Sequence, residues 1–133
     1  YLQPFRDVLN DRLGRSHVEG MIKAGRIEAA PLAYMRGRTF RDAFVILDEA
    51  QNTTPTQMKM FLTRIGANCT VVVNGDINQK DIPGESGLVD AVRRLACIPA
   101  VAHVEFRRED IVRSGLVAEI VQAYDRPAQE LPR

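Results

Sequence analysis

The sequence predicts an α/β fold with a mainly parallel sheet, and two observations carry that expectation. Two short runs, Ala43–Leu47 (AFVIL) and Cys69–Val73 (CTVVV), have the character of strands covered on both faces. Each is followed by a segment with apolar residues at helical spacing: Met58, Phe61, Leu62 and Ile65 after the first, and Leu88, Ala91, Val92 and Leu95 after the second. Strands alternating with helices build parallel sheets through right-handed crossovers.

The elements follow in order. Gln3–Leu13 has helical spacing through Phe5, Val8, Leu9 and Leu13. Ser16 is placed to cap a second short helix that runs to Ala24 and is closed by Gly25. Ile27–Ala30 is a short strand candidate ending at Pro31, and Tyr34–Phe40 (YMRGRTF) is a polar loop. Thr54-Pro55-Thr56-Gln57 has the signature of a helix start, with Thr at the N-cap, Pro at the first helical position and Gln at the third for a capping box. Gly66 is expected to stop that helix. Val101–Phe106 alternates and suggests a strand nearer a sheet edge, while Val117, Ile120, Val121 and Tyr124 mark a last helix. The tail after Tyr124 (DRPAQELPR) has the composition of a fraying end.

The 133 residues suffice for one domain with a core, and a net charge of +1 provides no global field to attract nucleic acid. Cys69 and Cys97 sit among apolar residues and read as buried free thiols of a reducing compartment. His17 and His103 are too isolated for a metal cluster, and His103 is expected as half-buried packing. No apolar run approaches the length of a membrane helix and no signal peptide opens the chain, so the expected location is cytoplasmic, away from any membrane.

The chemistry gathers where the two apolar runs end. The first runs into Asp48-Glu49 and the second into "NGDINQ", Asn74–Gln79. In open α/β sheets ligands bind at the carboxyl ends of the strands. If the two strands are parallel neighbours, Asp48, Glu49, Asp76 and Gln79 converge on one rim. Carboxylates there suit Mg²⁺, a hard ion that takes oxygen ligands and keeps several waters. An apolar run followed by Asp-Glu is the Walker B pattern, in which the Asp holds Mg²⁺ and the Glu polarises the water that attacks a γ-phosphate. Taken alone, a hydrophobic run before Asp-Glu also describes two solvated residues capping a strand. The "GDINQ" segment and Gln51 weigh against that plainer reading.

"APLAYMRGRTF", "VILDEAQNTTPTQMKMFLTRIG" and "GDINQKDIP" with "SGL" after it resemble the PhoH-like family of phosphate-starvation-inducible ATPases. The resemblance runs from about Tyr1 to about Tyr124. It implies a RecA-like P-loop NTPase fold, similar to the core of superfamily 1 helicases, incomplete in this chain. It makes residues 1–124 a partial ATPase domain and 125–133 a C-terminal tail. By the resemblance, Asp48 is the magnesium ligand and Glu49 the water-activating base. Gln51 matches the glutamine of a D-E-x-Q motif, which contacts the γ-phosphate or its water. Gly75, Asp76 and Gln79 match a later G-D-x-x-Q motif whose Gln senses the γ-phosphate. The cofactors implied are ATP and Mg²⁺, and RNA and a homo-oligomer are further partners to expect.

Three departures stand out. Asn74 occupies a position where the family often has Thr. The segment from Pro83 to Ser86 is slightly short for the family. No G-x-x-x-x-G-K-[ST] loop occurs among these residues, although that loop supplies the backbone cradle and the lysine on the phosphates. The chain therefore reads as the C-terminal part of a PhoH-like protein, itself expected to be inactive and unable to hold ATP tightly.

Several arginines have two readings each. Arg36 and Arg38 flank Gly37 and either contact phosphate or are surface residues, with the resemblance favouring contact. Arg113 heads the apolar stripe of the last helix and is either an arginine finger or the partner of Asp110 or Glu109 in a surface ion pair. Arg107 and Arg108 read as solvated. Two further functional classes compete with the ATPase. One is a metal-dependent nuclease using Asp48, Glu49 and Asp76, which leaves Gln51 and Gln79 without a task. The other is a non-catalytic interaction module.

Overall fold

The computed structural model describes residues 3–35, 37–107, 110 and 115–124. The chain divides into two compact units, Tyr1–Leu95 and Ala96–Arg133. The first holds helices α1 (Gln3–Leu13) and α2 (Arg15–Lys23), strand β1 (Phe44–Leu47), helix α3 (Pro55–Leu62), strand β2 (Thr70–Val73) and helix α4 (Gly87–Leu95). Single 3-10 turns cover Leu32–Met35 and Ala50–Asn52. The second unit holds helix α5 (Gly115–Tyr124). The fold is α/β, and its two strands pair in parallel with Phe44 opposite Thr70 and Leu47 opposite Val73. An isolated parallel bridge between Phe40 and Ile65 begins the same pairing upstream.

The helix boundaries follow local chemistry. At the start of α3 the Thr54 hydroxyl accepts the Gln57 N–H at 3.2 Å and the Gln57 side chain accepts the Thr54 N–H at 2.9 Å. With Pro55 at the first turn, this is the capping box expected from the sequence. At its other end α3 stops at Leu62, a turn earlier than the apolar spacing suggests. The Thr63 hydroxyl bonds back to the Lys59 and Met60 carbonyls at 2.9 and 3.0 Å, and Ile65 leaves to bridge Phe40. The end of α2 is a Schellman motif: Gly25, at φ 68, donates to Ile22, and Arg26 donates to Met21.

The core lies on one side of the sheet. Ala50, Met58 and Ala91 are buried, and Leu47, Leu62, Val73, Leu88 and Leu95 pack against them. The inward residues of both strands thus meet α3 and α4. Phe40 and Phe61 add a tilted ring pair with centroids 5.8 Å apart. At the start of α4, the Ser86 hydroxyl accepts the Leu88 N–H at 3.2 Å. One turn on, Asp90 is only 7% exposed and accepts two bonds from Arg94 Nε, at 2.8 and 2.9 Å, and one from Arg93.

Several expectations are corrected. The strands are covered on one face, because α3 and α4 pack on the same side. Phe44 is 67% exposed, and Ile46 and Val72 also face outward. Ile27–Ala30 forms no strand: it has no ladder partner, Glu28 is drawn into an ion pair with Arg38, and Pro31 removes a donor. Val101–Phe106 is irregular and exposed, with a turn from the Val101 N–H to the Ile98 carbonyl in place of a ladder. Ser16 caps nothing, because Gly14 at φ 84 leads straight into α2 and leaves Ser16 inside its first turn. Cys69 and Cys97 are free thiols, but Cys69 is only half-buried and Cys97 is exposed, as is His103. Among the described residues no helix is long and apolar enough to cross a membrane.

The Asp90 cluster carries a pH signature. The bond from Arg94, then that from Arg93, holds the Asp90 carboxyl below the usual carboxylate range. A native pKa below the unfolded one, about 3.9 for Asp, adds stability above that value and loses it as pH falls through the native pKa. Asp90→Asn is expected to lower the melting temperature at pH 7. Thermal melts followed by circular dichroism should show the gap to the parent closing as pH is taken from about 5 to about 2. A gap that stays constant with pH would assign Asp90 a packing role alone.

Candidate functional site

The parallel register decides what meets at the strand ends. Asp48 and Asn74 each follow a paired strand residue, so the last rung of the ladder sets them side by side. Asn74 Nδ2 donates to Asp48 Oδ1 at 2.8 Å. The backbone stitches the same junction, with the Asn74 N–H donating to the Leu47 carbonyl at 2.8 Å and the Ala50 N–H to the Asn74 carbonyl at 2.9 Å. Sequence reasoning noted Asn74 only as a departure. Its position directly after the second strand, opposite Asp48 on the first, was the available signal.

The chain then turns sharply. Glu49 takes left-handed backbone, φ 52 and ψ 36, and the 3-10 turn Ala50–Asn52 follows. That turn sends Gln51 inward, where it is 1% exposed. Gln51 Nε2 donates to Glu49 Oε2 at 2.6 Å, and Gln51 Oε1 accepts the Asp76 backbone N–H at 3.1 Å. Gly75 permits this approach, since a Cβ there would lie 2.5 Å from Gln51 Oε1 and 2.9 Å from Leu88 Cδ2.

The second loop folds around Asp76. Its carboxylate accepts the Asn78 N–H at 2.9 Å and Gln79 Nε2 at 3.0 Å. Asn52 Oδ1 accepts the Asp81 N–H at 2.8 Å, Lys80 reaches the Gly84 carbonyl, and the Gly87 N–H donates to the Thr53 carbonyl at 2.6 Å. Asp48, Glu49, Gln51, Asn74, Asp76 and Gln79 therefore belong to one hydrogen-bonded rim at the carboxyl end of the sheet. Glu49, Asp76 and Gln79 are exposed there, Asp48 is half-buried and Gln51 is buried. A hollow of about 420 Å³ is bounded by Leu32, Ala33, Thr56, Gln57 and Met60, and none of the six rim residues lines it. Among the described residues, no group of three or more His, Cys, Asp or Glu side chains is arranged to hold a metal.

Arg38 makes a two-pronged ion pair with Glu28, its Nη2 bond being 2.7 Å, and is not tied to the rim. That bond draws the Glu28 carboxyl below its ordinary value and raises the Arg38 guanidinium. Arg36 and Arg113 lie outside the described residues, as do Arg108 and Glu109. Arg107 is exposed, and its backbone N–H donates to Asp110 at 2.7 Å.

Comparison with known proteins fits this arrangement of motifs. The profile of the "PhoH-like protein" family matches residues 1–125. The chain belongs to the PhoH-like family. It is 52% identical over 128 residues to a "PhoH-like protein" of Bacillus subtilis (strain 168), covering 95% of this chain and 40% of that protein. It is 53% identical over 128 residues to "Protein PhoH" of Escherichia coli (strain K12), covering 93% of this chain and 36% of that protein. The PhoH-like protein of Synechocystis sp. (strain ATCC 27184 / PCC 6803 / Kazusa) is 46% identical over 134 residues, covering 99% of this chain and 41% of the relative. The chain thus spans between 36% and 41% of the length of these relatives.

One substitution checks how tightly the rim is stitched. A Cβ on Gly87 would lie 2.5 Å from Thr53 Oγ1, 2.6 Å from the Thr54 carbonyl and 2.9 Å from Met58 Cβ, which are backbone or packed atoms. Gly87→Ala is expected to push α4 from the start of α3 and cost about 1–3 kcal/mol in urea unfolding. An unchanged midpoint would mean that the two helix starts have slack between them.

Proposed function

We propose that the whole protein containing this chain hydrolyses ATP at this rim. The observation that supports the reading most is the bonded pairing of Asp48-Glu49 at the end of β1 with the Asn74–Gln79 loop at the end of β2. The family resemblance supplies ATP as the substrate. The phosphate-cradling loop that these residues lack belongs, in this reading, to another part of the whole protein.

The donor set suits Mg²⁺. Asn74 holds one oxygen of Asp48 at 2.8 Å, and a single hard carboxylate beside waters and phosphate oxygens is how Mg²⁺ is usually held. Asp48 would hold the Mg²⁺, which would supply charge neutralisation at the phosphates. Glu49 takes the proton from the attacking water as the bond from the γ-phosphorus to the bridging oxygen breaks, giving ADP and phosphate. Gln79, exposed at the loop, reaches the γ-phosphate, with Gly75 and Asp76 shaping its approach. Arg38 meets phosphate only by leaving Glu28, an exposed pair that gives way readily. A phosphate contact by Arg36 and an arginine-finger role for Arg113, offered in cis or to a neighbouring copy in a homo-oligomer, rest on their places in the sequence, and RNA as a coupled partner rests on the resemblance.

A two-metal nuclease fits less well. It needs Asp48, Glu49 and Asp76 together as ligands, and among the described residues no group of three or more His, Cys, Asp or Glu side chains is arranged to hold a metal.

The test uses the whole protein. Glu49→Gln is expected to leave ATP binding intact and cut kcat by about 10²–10⁴, because an amide keeps the shape but takes no proton. Asp48→Ala should weaken ATP binding that depends on Mg²⁺. Equal and mild effects from both would overturn the reading. RNA cleavage without nucleotide would replace it with the nuclease.

A further inference from the structure

Gln51 has an unusual position for a residue expected to touch a ligand. It is among the largest fully buried side chains of the described residues, beside Met58 and Val18. An amide taken out of water must have its donors and acceptor met, and each unmet group costs about 1–3 kcal/mol. Here Nε2 donates to Glu49 Oε2 at 2.6 Å and Oε1 accepts the Asp76 N–H at 3.1 Å. At 1% exposure there is no surface left to meet a phosphate or its water.

The two bonds join groups that the backbone alone does not relate. Glu49 is exposed and would sample many rotamers if its carboxylate were free. The buried amide holds Oε2 and so narrows the rotamers the carboxylate can take. Through its other end the same amide grips the first residue of the Asp76-Ile77-Asn78-Gln79 loop. Gly75 carries no Cβ where Gln51 passes. A shift of the Asp76 backbone is therefore passed to the Glu49 carboxylate through one rigid side chain.

We infer that Gln51 is a positioning residue that aims the Glu49 carboxylate and couples it to the Gly75–Gln79 loop, without itself touching the nucleotide. This rests on the ATP-hydrolysis reading above. It replaces the direct phosphate contact expected from the sequence.

The experiment compares kcat, KM, nucleotide affinity and melting temperature in the whole protein. Gln51→Met removes both bonds and leaves the Asp76 N–H without its buried acceptor, so it also risks folding. Gln51→Glu keeps size and that acceptor, but sets a carboxylate against Glu49. Misaiming a reacting group by about 1 Å costs on the order of 10²-fold. Gln51→Glu is expected to lower kcat by about that factor while ATP and ADP affinities stay within about threefold of the parent. The double variant Glu49→Gln/Gln51→Glu restores a donor–acceptor pair with its direction reversed. It should recover the melting temperature lost in Gln51→Glu but no turnover. Hydrogen exchange supplies a readout independent of hydrolysis, since the Asp76 amide should stay protected in Gln51→Glu.

A parent that turns over ATP, with Glu49→Gln inactive and Gln51→Glu near normal, overturns the inference alone. Loss of ATP affinity without loss of ADP affinity in Gln51→Glu overturns it too, in favour of a direct γ-phosphate contact. A parent without ATP hydrolysis overturns the functional reading on which the inference rests.

Discussion

The site depends on the register of one parallel strand pair. Four rungs, from Phe44–Thr70 to Leu47–Val73, fix where both chains leave the sheet. A slip of one residue would turn every side chain to the opposite face and part Asp48 from Asn74. Burial enforces the register, because Val45, Leu47, Val71 and Val73 are the more covered residues and the last rung packs against Met58 and Ala91. The hydrophobic core and the polar rim are thus two results of one alignment. A change that loosens α3 or α4 reaches the rim through Leu47 and Val73.

Polar stitching then carries that alignment past the strands. Backbone bonds from Ala50 to Asn74 and from Gly87 to Thr53 hold the two loops together where the ladder has ended. Side chains add bonds between Asn74 and Asp48, Gln51 and Asp76, and Asn52 and Asp81. All of these join residues far apart in sequence. Asn78 and Gln79 bond Asp76 within their own loop, so these cross-links are what tie that loop to the one after β1.

The legible parts of this chain were those governed by local rules. α1 follows its apolar spacing, and the capping box at Thr54 and Gln57 appears as the pattern dictates. The acidic and amide residues at the ends of two strands announced a shared rim, because parallel neighbours place their carboxyl ends together. What escaped was set by tertiary partners. Val101–Phe106 has strand-like alternation, but alternation makes no strand without a neighbour to pair with. Strand coverage failed for the same kind of reason, since helix placement rather than strand composition decides which face is covered. The inward turn of Gln51 could not be read either. It follows from the left-handed backbone at Glu49, and nothing in D-E-A-Q marks that conformation.

That backbone conformation bears on why the rim has its shape. Asp42, Glu49 and Asn68 are the residues other than glycine with positive φ among those described. Asp and Asn adopt left-handed backbone more readily than most residues because their short side chains can bond locally, and here Asn68 Nδ2 and Asp42 Oδ1 also bond each other across the chain at 2.8 Å. Glutamate is not favoured there by a short side chain, and sparsely populated backbone costs on the order of 1–3 kcal/mol. It persists where the surroundings over-determine it. Around Glu49 they do: β1 fixes the entry, the 3-10 turn fixes the exit, and Gln51 holds the carboxylate. A glycine would accept the backbone with less strain but would carry no carboxylate. A residue with no backbone preference for this conformation thus sets a carboxylate beside the buried Gln51 amide. The buried amide two residues on bonds that carboxylate at 2.6 Å and so helps to hold the conformation in place.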